Sequence, residues 1–366
     1  MMKFIPRWPR IIGLSAIVMA IFFARYLQAT NASNESVAKI TRIMTIGSEK
    51  ANEDFYSPRS FTIDKNGNVF ILDSGNSRIQ CFSPSGIFRF SFGRFGQGPG
   101  ELSKEASMIK ILDDGNIYVI DNLLRRINKY DINGKIIKTY ATNARYDDIV
   151  LLNGEYYLSN LILRVGYSPI SRTENLSDIR YSFGSIVEPT PGIIDIIQKS
   201  PFGRMLENEF TFMNMTSLTS DKKGAIFYSQ LQPYYISKYA DEGNKAGDLF
   251  QETGFDTHFP LVIHFSGNSV HKKVTGPVPI VYAPILRKDG GLLVPIISPD
   301  RSYFLFDLFD DNCSFLKRFR LHNSIYDFNK SAGITNIIID DNDVLYCLII
   351  SREDNPVLSI NKIFFE

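Results

Sequence analysis

The chain has 366 residues, 44% hydrophobic and 22% charged, an ordinary globular composition in which 28 Phe and 18 Tyr stand out as strand-packing residues. A formal net charge of +1 excludes a general electrostatic hold on nucleic acid. The three cysteines, Cys81, Cys313 and Cys347, are an odd number without a Cys-x-x-Cys pair, so they cannot form a complete intrachain disulfide framework and read as small buried hydrophobes.

At the N-terminus, Lys3, Arg7 and Arg10 precede an uncharged, mostly apolar run of 13 residues, 11–23, and small or polar residues follow through Ser36. A basic start, a short apolar core and a polar exit read as a secretory signal. The run falls short of the roughly 20 residues needed to span a bilayer. Residues 1–32 are thus expected to be a signal peptide cut after Ala29 or Ala32, the alternative being an uncleaved membrane anchor at residues 11–23. The remaining domain, 33–366, is expected to work outside the cytoplasm, periplasmic or secreted.

Residues 39–47, KITRIMTIG, alternate as a strand with no partner nearby in sequence. Residues 58–100 then hold four short strand-like runs (60–64, 69–72, 78–82 and 87–92) separated by turns at Lys65-Asn66-Gly67, Asp73-Ser74-Gly75-Asn76 and residues 83–86. Asn-Gly supplies the positive φ that a tight hairpin turn needs. The pattern recurs. Gly67 is followed by Phe82 and Gly86, Gly115 by Tyr130 and Gly134, and Gly224 by Tyr239 and Gly243, each time 15 and 19 residues on. Self-similarity at about 40–50 residues with four strands per repeat points to a β-propeller.

Further units are read at 107–140, at 147–187 with an interruption over 161–177, at 215–250, and at 280–321 around Asp289-Gly290-Gly291. A strand candidate at 261–265 lies in the insertion 251–279. The last unit has only three strands, at 336–339, 345–350 and 358–365. The stretch Lys39 to Ile46 is expected to supply its missing outer strand and close the ring, which removes open sheet edges. The expected fold is all-β: a six-bladed propeller of four-stranded antiparallel blades, with five or seven blades as alternatives.

The repeat resembles the NHL repeat, on Pro58, Asn66-Gly67-Asn68-Val69-Phe70, Asp73, Asn76, Arg78-Ile79-Gln80, Phe82 and Gly86, and on the glycine-rich linker Gly96-Gln97-Gly98-Pro99-Gly100-Glu101-Leu102. Residues 114–121, Arg126, Lys129 and Tyr130 repeat it. The resemblance covers residues 58–139 well and 215–249 in part. It implies a rigid scaffold that hosts binding modules, scaffolds and a few enzymes.

Alternating strand direction puts the connections between units and the turn between second and third strands on one face. That face carries residues 49–57, 73–76, 93–105, 122–124, 161–177, 188–214 and 251–279, and long loops on a rigid scaffold are where binding concentrates. Candidate binding residues are Arg59, Asn76, Arg94, Asp147, Asp148, Asn214, Tyr282 and Asn336. Against this, Asp73, Asn76 and Arg78 also read as turn-bracing residues, with Asp121 in the same place one unit on. His258, His264 and His271 sit at spacings of six and seven in one insertion, a poor zinc pattern. The amidating-lyase type of NHL propeller needs histidines from separate blades, and only His322 remains. Resemblance to lactonase-type propellers would place an axial calcium near Arg59, Ser107, Asp147, Asp148, Asn214, Thr216, Tyr282 and Asn336; Asp and Asn suit calcium, whereas Arg59 and Lys110 do not. Gly96 to Gly100 lacks the Lys-Ser/Thr of a phosphate loop, and no Gly-x-Ser-x-Gly elbow is present.

The reading is an exported, monomeric binding or scaffold module for a protein, peptide or glycan. It needs no cofactor, binds no nucleic acid, and meets a membrane only through an uncleaved N-terminal segment. The alternative is a calcium-dependent hydrolase, lactonase or lyase with an axial site.

Overall fold

The computed structural model describes residues 35–47, 54–160, 168–186, 216–221, 223–230, 234–240, 243–249, 261–266, 269–274, 279–298, 303–321, 331–351 and 355–365. The signal or anchor, Asn214, His258, His322 and the connection 188–214 lie outside them. So do the side chains of His264 and His271.

Strands dominate the described residues, with a single short 3-10 turn at Ser74–Asn76. β1 (Glu35–Ile46) comes first. β2 (Pro58–Ile63), β3 (Val69–Asp73), β4 (Arg78–Phe82) and β5 (Phe88–Phe92) form one antiparallel meander. β6 (Met108–Ile111), β7 (Ile117–Asp121), β8 (Arg126–Tyr130) and β9 (Ile136–Ala141) form the next. β10 (Tyr146–Leu152), β11 (Glu155–Asn160), β12 (Ile170–Thr173) and β13 (Tyr181–Phe183) form a third. β14 (Thr216–Ser220), β15 (Ala225–Gln230), β16 (Tyr235–Ala240) and β17 (Lys245–Asp248) form a fourth. β18 (Leu261–Ser266) and β19 (Ser269–Val274) pair as a hairpin.

The remaining strands belong to one nine-stranded sheet. They are β20 (Ile280–Val281), β21 (Ile285–Leu286), β22 (Leu292–Ile297), β23 (Phe304–Phe309), β24 (Phe315–Leu321), β25 (Ser331–Ile339), β26 (Val344–Ser351) and β27 (Val357–Phe364), joined through β1. Residues 39–46 of β1 pair antiparallel with β27, as expected. Residues 35–38 of the same strand pair parallel with β24, a second pairing beyond the expected one. The expected interruption at 161–177 also needs correction, because β12 lies within it. Its sequence, ISRT, has too little apolar character to read as a strand and is held in place by β11.

Five of the tight turns share one device. Asp64 Oδ1 accepts from the N–H of Asn66 and of Asn68, both at 2.8 Å. Asp131, Asp221, Asp310 and Asp340 bond the amides two and four residues on in the same way. The residue three after each aspartate has positive φ: Gly67, Gly134, Gly224, Cys313 and Asp343. Only glycine takes that conformation without strain from Cβ.

The recurring aromatic and second glycine have a common purpose. Tyr130 packs edge-on against Phe92 at 5.2 Å between centroids, and Tyr239 against Phe183 at 5.5 Å. In both cases the partner sits on the outer strand of the preceding meander. A Cβ on Gly134 would meet Phe92 at 2.5 Å, one on Gly243 would meet Phe183 at 2.8 Å, and one on Gly86 would meet Met44 Sδ of β1 at 3.0 Å. β1 therefore stands before the first meander as β5 stands before the second.

Buried apolar residues collect between neighbouring meanders. One cluster joins β1, β26 and β27 to the first meander, and the next joins the first to the second. Others join the second to the third and the third to the fourth. The last two join the fourth to β20–β24, and β20–β24 to β25–β27. Face-to-face packing of successive four-stranded antiparallel sheets is consistent with propeller blades.

Candidate functional site

Buried carboxylates brace the loops that follow β3 and β7. Asp73 accepts from Tyr56 N and Asn76 Nδ2, each at 2.7 Å, and from Arg78 Nε at 3.1 Å, while Arg78 Nη2 reaches Asp54 O at 2.8 Å. Asp121 takes the same place one meander on, accepting from Ser103 N and Oγ and from Leu124 N. Ser74 Oγ donates to Ala106 O at 2.6 Å, tying the first of these loops to the second.

The glycine-rich linker wraps around Arg126, only 6% exposed, whose guanidinium donates to the carbonyls of Gly96, Gln97, Gly98 and Glu101. Glu101 closes the loop by accepting from Gly98 N at 2.7 Å and Arg94 Nε at 2.8 Å. The glycines thus present backbone carbonyls to a cation. Tyr56, Phe95 and Leu123 project from these braced loops at 68%, 69% and 54% exposure, and the Lys104 ammonium lies 5.8 Å from the Phe95 ring centre.

The first strands of successive meanders are tied to one another. Asn336 Nδ2 on β25 donates to Phe61 O on β2 at 3.2 Å, and Ile111 N on β6 donates to Thr62 Oγ1 on β2 at 3.2 Å. Lys110 Nζ on β6 reaches Asp148 Oδ1 and Oδ2 on β10 at 2.9 and 3.1 Å, and Leu218 O on β14 at 2.9 Å. Asp148 also accepts from Ile149 N and Leu218 N, and Asp147 Oδ2 from Thr216 N and Oγ1. Thr219 Oγ1 donates to Pro284 O at 2.5 Å, and Tyr282 Oη to Ile334 O at 3.0 Å.

Asp147 sits where the β10 register shifts against β11, as Arg59 does where β2 shifts against β3, and such bulges re-aim a side chain. Crowding by protein pushes the Asp147 carboxyl up to about 7, and the charge of Asp148 adds to this, against the hydrogen bonds from Thr216. Tyr228, also facing Asp147, is fully buried, which raises its hydroxyl well above the ordinary value.

The eight candidate residues therefore divide. Asn76 and Arg94 are loop braces, and Arg59 is exposed at the start of the innermost strand. Tyr282 and Asn336 tie neighbouring first strands together. Asp147 and Asp148 meet Thr216 and Lys110 in one polar cluster. Lys110 is the residue that the sequence reading set aside, although a lysine in the short apolar strand MIKI was its visible signal.

Asp148 is not available to an axial calcium. A carboxylate has about four acceptor sites. Those of Asp148 are engaged by Lys110 twice, by Ile149 N and by Leu218 N, and the Leu218 carbonyl is also taken by Lys110. Among the described residues, no three His, Cys, Asp or Glu side chains gather to hold a metal.

Comparison with known proteins bears on the fold. The NHL repeat model matches residues 55–82. No curated protein matches the chain in sequence. A Bacteroides fragilis protein described as exported is 14% identical with a TM-score of 0.55, over 91% of this chain and 97% of its own. A member of the DUF4221 family from Bacteroides vulgatus is 10% identical with a TM-score of 0.56, over 91% of this chain and all of its own. A catalytically inactive virginiamycin B lyase from Staphylococcus aureus, bound to quinupristin, is 13% identical with a TM-score of 0.51, over 90% of this chain and all of its own. At these identities the likeness is one of fold, and the chain is similar to NHL-type β-propellers.

Proposed function

We propose that this chain is an exported six-bladed propeller that captures a protein, peptide or glycan on its loop-rich face. One observation carries the reading: loops pinned from beneath by Asp73, Asp121 and Arg126 hold out Tyr56, Phe95 and Leu123 to solvent. Large apolar side chains on a pre-organised surface bind at low entropic cost. Arg59, Arg94 and Lys104 lie on or beside the same face and favour a partner with acidic or hydroxyl-rich chemistry.

Six blades in a closed ring are supported by the contacts between first strands, which run from β25 through β2, β6, β10, β14 and the β20–β21 segment and return to β25. The six inter-sheet clusters follow the same circuit. Export rests on the N-terminal sequence, and the Bacteroides fragilis neighbour described as exported agrees with it.

The test is capture from envelope extracts or a glycan panel by residues 33–366. Tyr56→Ala with Phe95→Ala should abolish capture with the fold intact. Ile87→Ala with Ile137→Ala, exposed elsewhere on the first two meanders, should leave it unchanged. Capture that survives the first pair and fails with the second would place the binding face elsewhere.

A further inference from the structure

We propose that the Lys110 ammonium is itself the axial cation of this protein, filling an ammonium cradle made by Asp148 and the Leu218 carbonyl. An ammonium has three N–H donors and no acceptor. Lys110 Nζ finds three oxygens at 2.9, 3.1 and 2.9 Å, from two different meanders, 38 and 108 residues away in sequence. The Asp148 carboxylate is equally complete, with Ile149 N and Leu218 N occupying its remaining sites at 2.7 and 2.8 Å. The cradle is well enclosed, the Asp148 side chain being 11% exposed and that of Lys110 30%.

A point charge bonding β6, β10 and β14 at once performs the structural service of an axial divalent ion, drawing three first strands together. A metal could enter only by displacing Lys110 and breaking contacts that leave neither partner a vacant site. At this cradle β6, β10 and β14 are therefore held together without metal. Lys110 also differs from a surface ion pair, because losing it strands a buried carboxylate together with a carbonyl and lowers stability accordingly.

The inference is independent of what the loop-rich face binds. Its test has two arms, the first on the unaltered protein. Metal content after purification without chelator should be well below one ion per chain, and the Tm should be the same in EDTA as in millimolar calcium. One retained ion per chain, with a Tm that falls in EDTA, would overturn the proposal. In the second arm, Lys110→Ala should lower Tm by about 5 °C. Methylammonium or ethylammonium chloride should restore part of that loss beyond what equal sodium chloride restores, since a ligand bound only to the folded state raises Tm by mass action. The double variant Lys110→Ala with Asp148→Asn should gain nothing from the amine. A Lys110→Ala protein as stable as the parent, or an amine effect equal in both variants, would refute the cradle. If Lys110→Ala does not fold, Lys110→Met, which keeps the aliphatic stem, provides the stability comparison, and the metal arm stands without either.

Discussion

Gly134 is where the repeat logic is open to a quantitative test. Its φ is +84°, and an added Cβ would lie 2.5 Å from both Cγ and Cδ1 of Phe92 and 2.9 Å from its Cβ. Phe92 cannot swing away freely, because it packs against Tyr130 at 5.2 Å and Phe90 at 6.2 Å. Gly134→Ala therefore carries two costs. Backbone strain in the left-handed region is worth about 1–2 kcal/mol, and overpacking against an aromatic wedge adds about 1–3 kcal/mol. The expected loss is about 2–5 kcal/mol. Gly115→Ala is the internal control: its φ is +74°, and nothing lies within 4 Å of the position of its Cβ. It should cost only the backbone share. Urea unfolding of both variants, compared at unchanged m-value, separates the two contributions. If Gly134→Ala proves no more harmful than Gly115→Ala, the second glycine of the repeat is not there to admit the preceding outer strand, and the explanation of its spacing fails.

Asp343→Gly and Cys313→Gly replace the two residues that take positive φ where sister turns have glycine, and each should stabilise by about 0.5–1 kcal/mol; a loss of Tm in both would show that the side chains hold the turns in another way. Asp147 has its carboxyl raised from 3.8 to about 7 in the fold, so the native state holds a proton that the unfolded chain releases. Stability is then fullest below about pH 4 and declines as pH rises toward 7. The ceiling is about 4 kcal/mol, and the partial solvent contact of Asp147 reduces the expectation to about 1–2 kcal/mol. Facing groups are Asp148 with its Lys110 partner, Thr216 and Tyr228, and Asp147→Asn should flatten the pH 4–7 limb of the Tm profile. A profile identical to the parent's would remove Asp147 as its source. Arg126→Lys keeps the charge but loses the planar fork that serves four carbonyls, so limited proteolysis should speed up within Gly96 to Gly100. Unchanged cleavage there would mean that Glu101 alone holds the loop.

How much could be read beforehand follows from how local each cause is. Asn66-Gly67 and Asn133-Gly134 announce their hairpins because the positive φ is a property of the turn itself. The bracing aspartates at 64, 131, 221, 310 and 340 are equally local, each standing three residues before its positive-φ position. β12 is illegible in the sequence because Ile170–Thr173 carries three polar residues in four and takes its strand form from β11 rather than from its own alternation.

At the candidate site the boundary is sharper. The brace at Asp73 was legible because its partners Asn76 and Arg78 lie three and five residues away and the pattern recurs at Asp121. Lys110 read as an unsuitable ligand because composition along a strand reports only which side chains share a face. Its partners come from first strands belonging to other meanders, and only the stacking of sheets around an axis brings them within 3.1 Å. The double pairing of β1, parallel to β24 and then antiparallel to β27, has the same origin. The sequence alone determined the repeating meander, because turn chemistry and strand alternation act over a few residues. Tertiary structure alone decided which charges meet at the axis and where the first strand docks, because those contacts exist only after the sheets have packed.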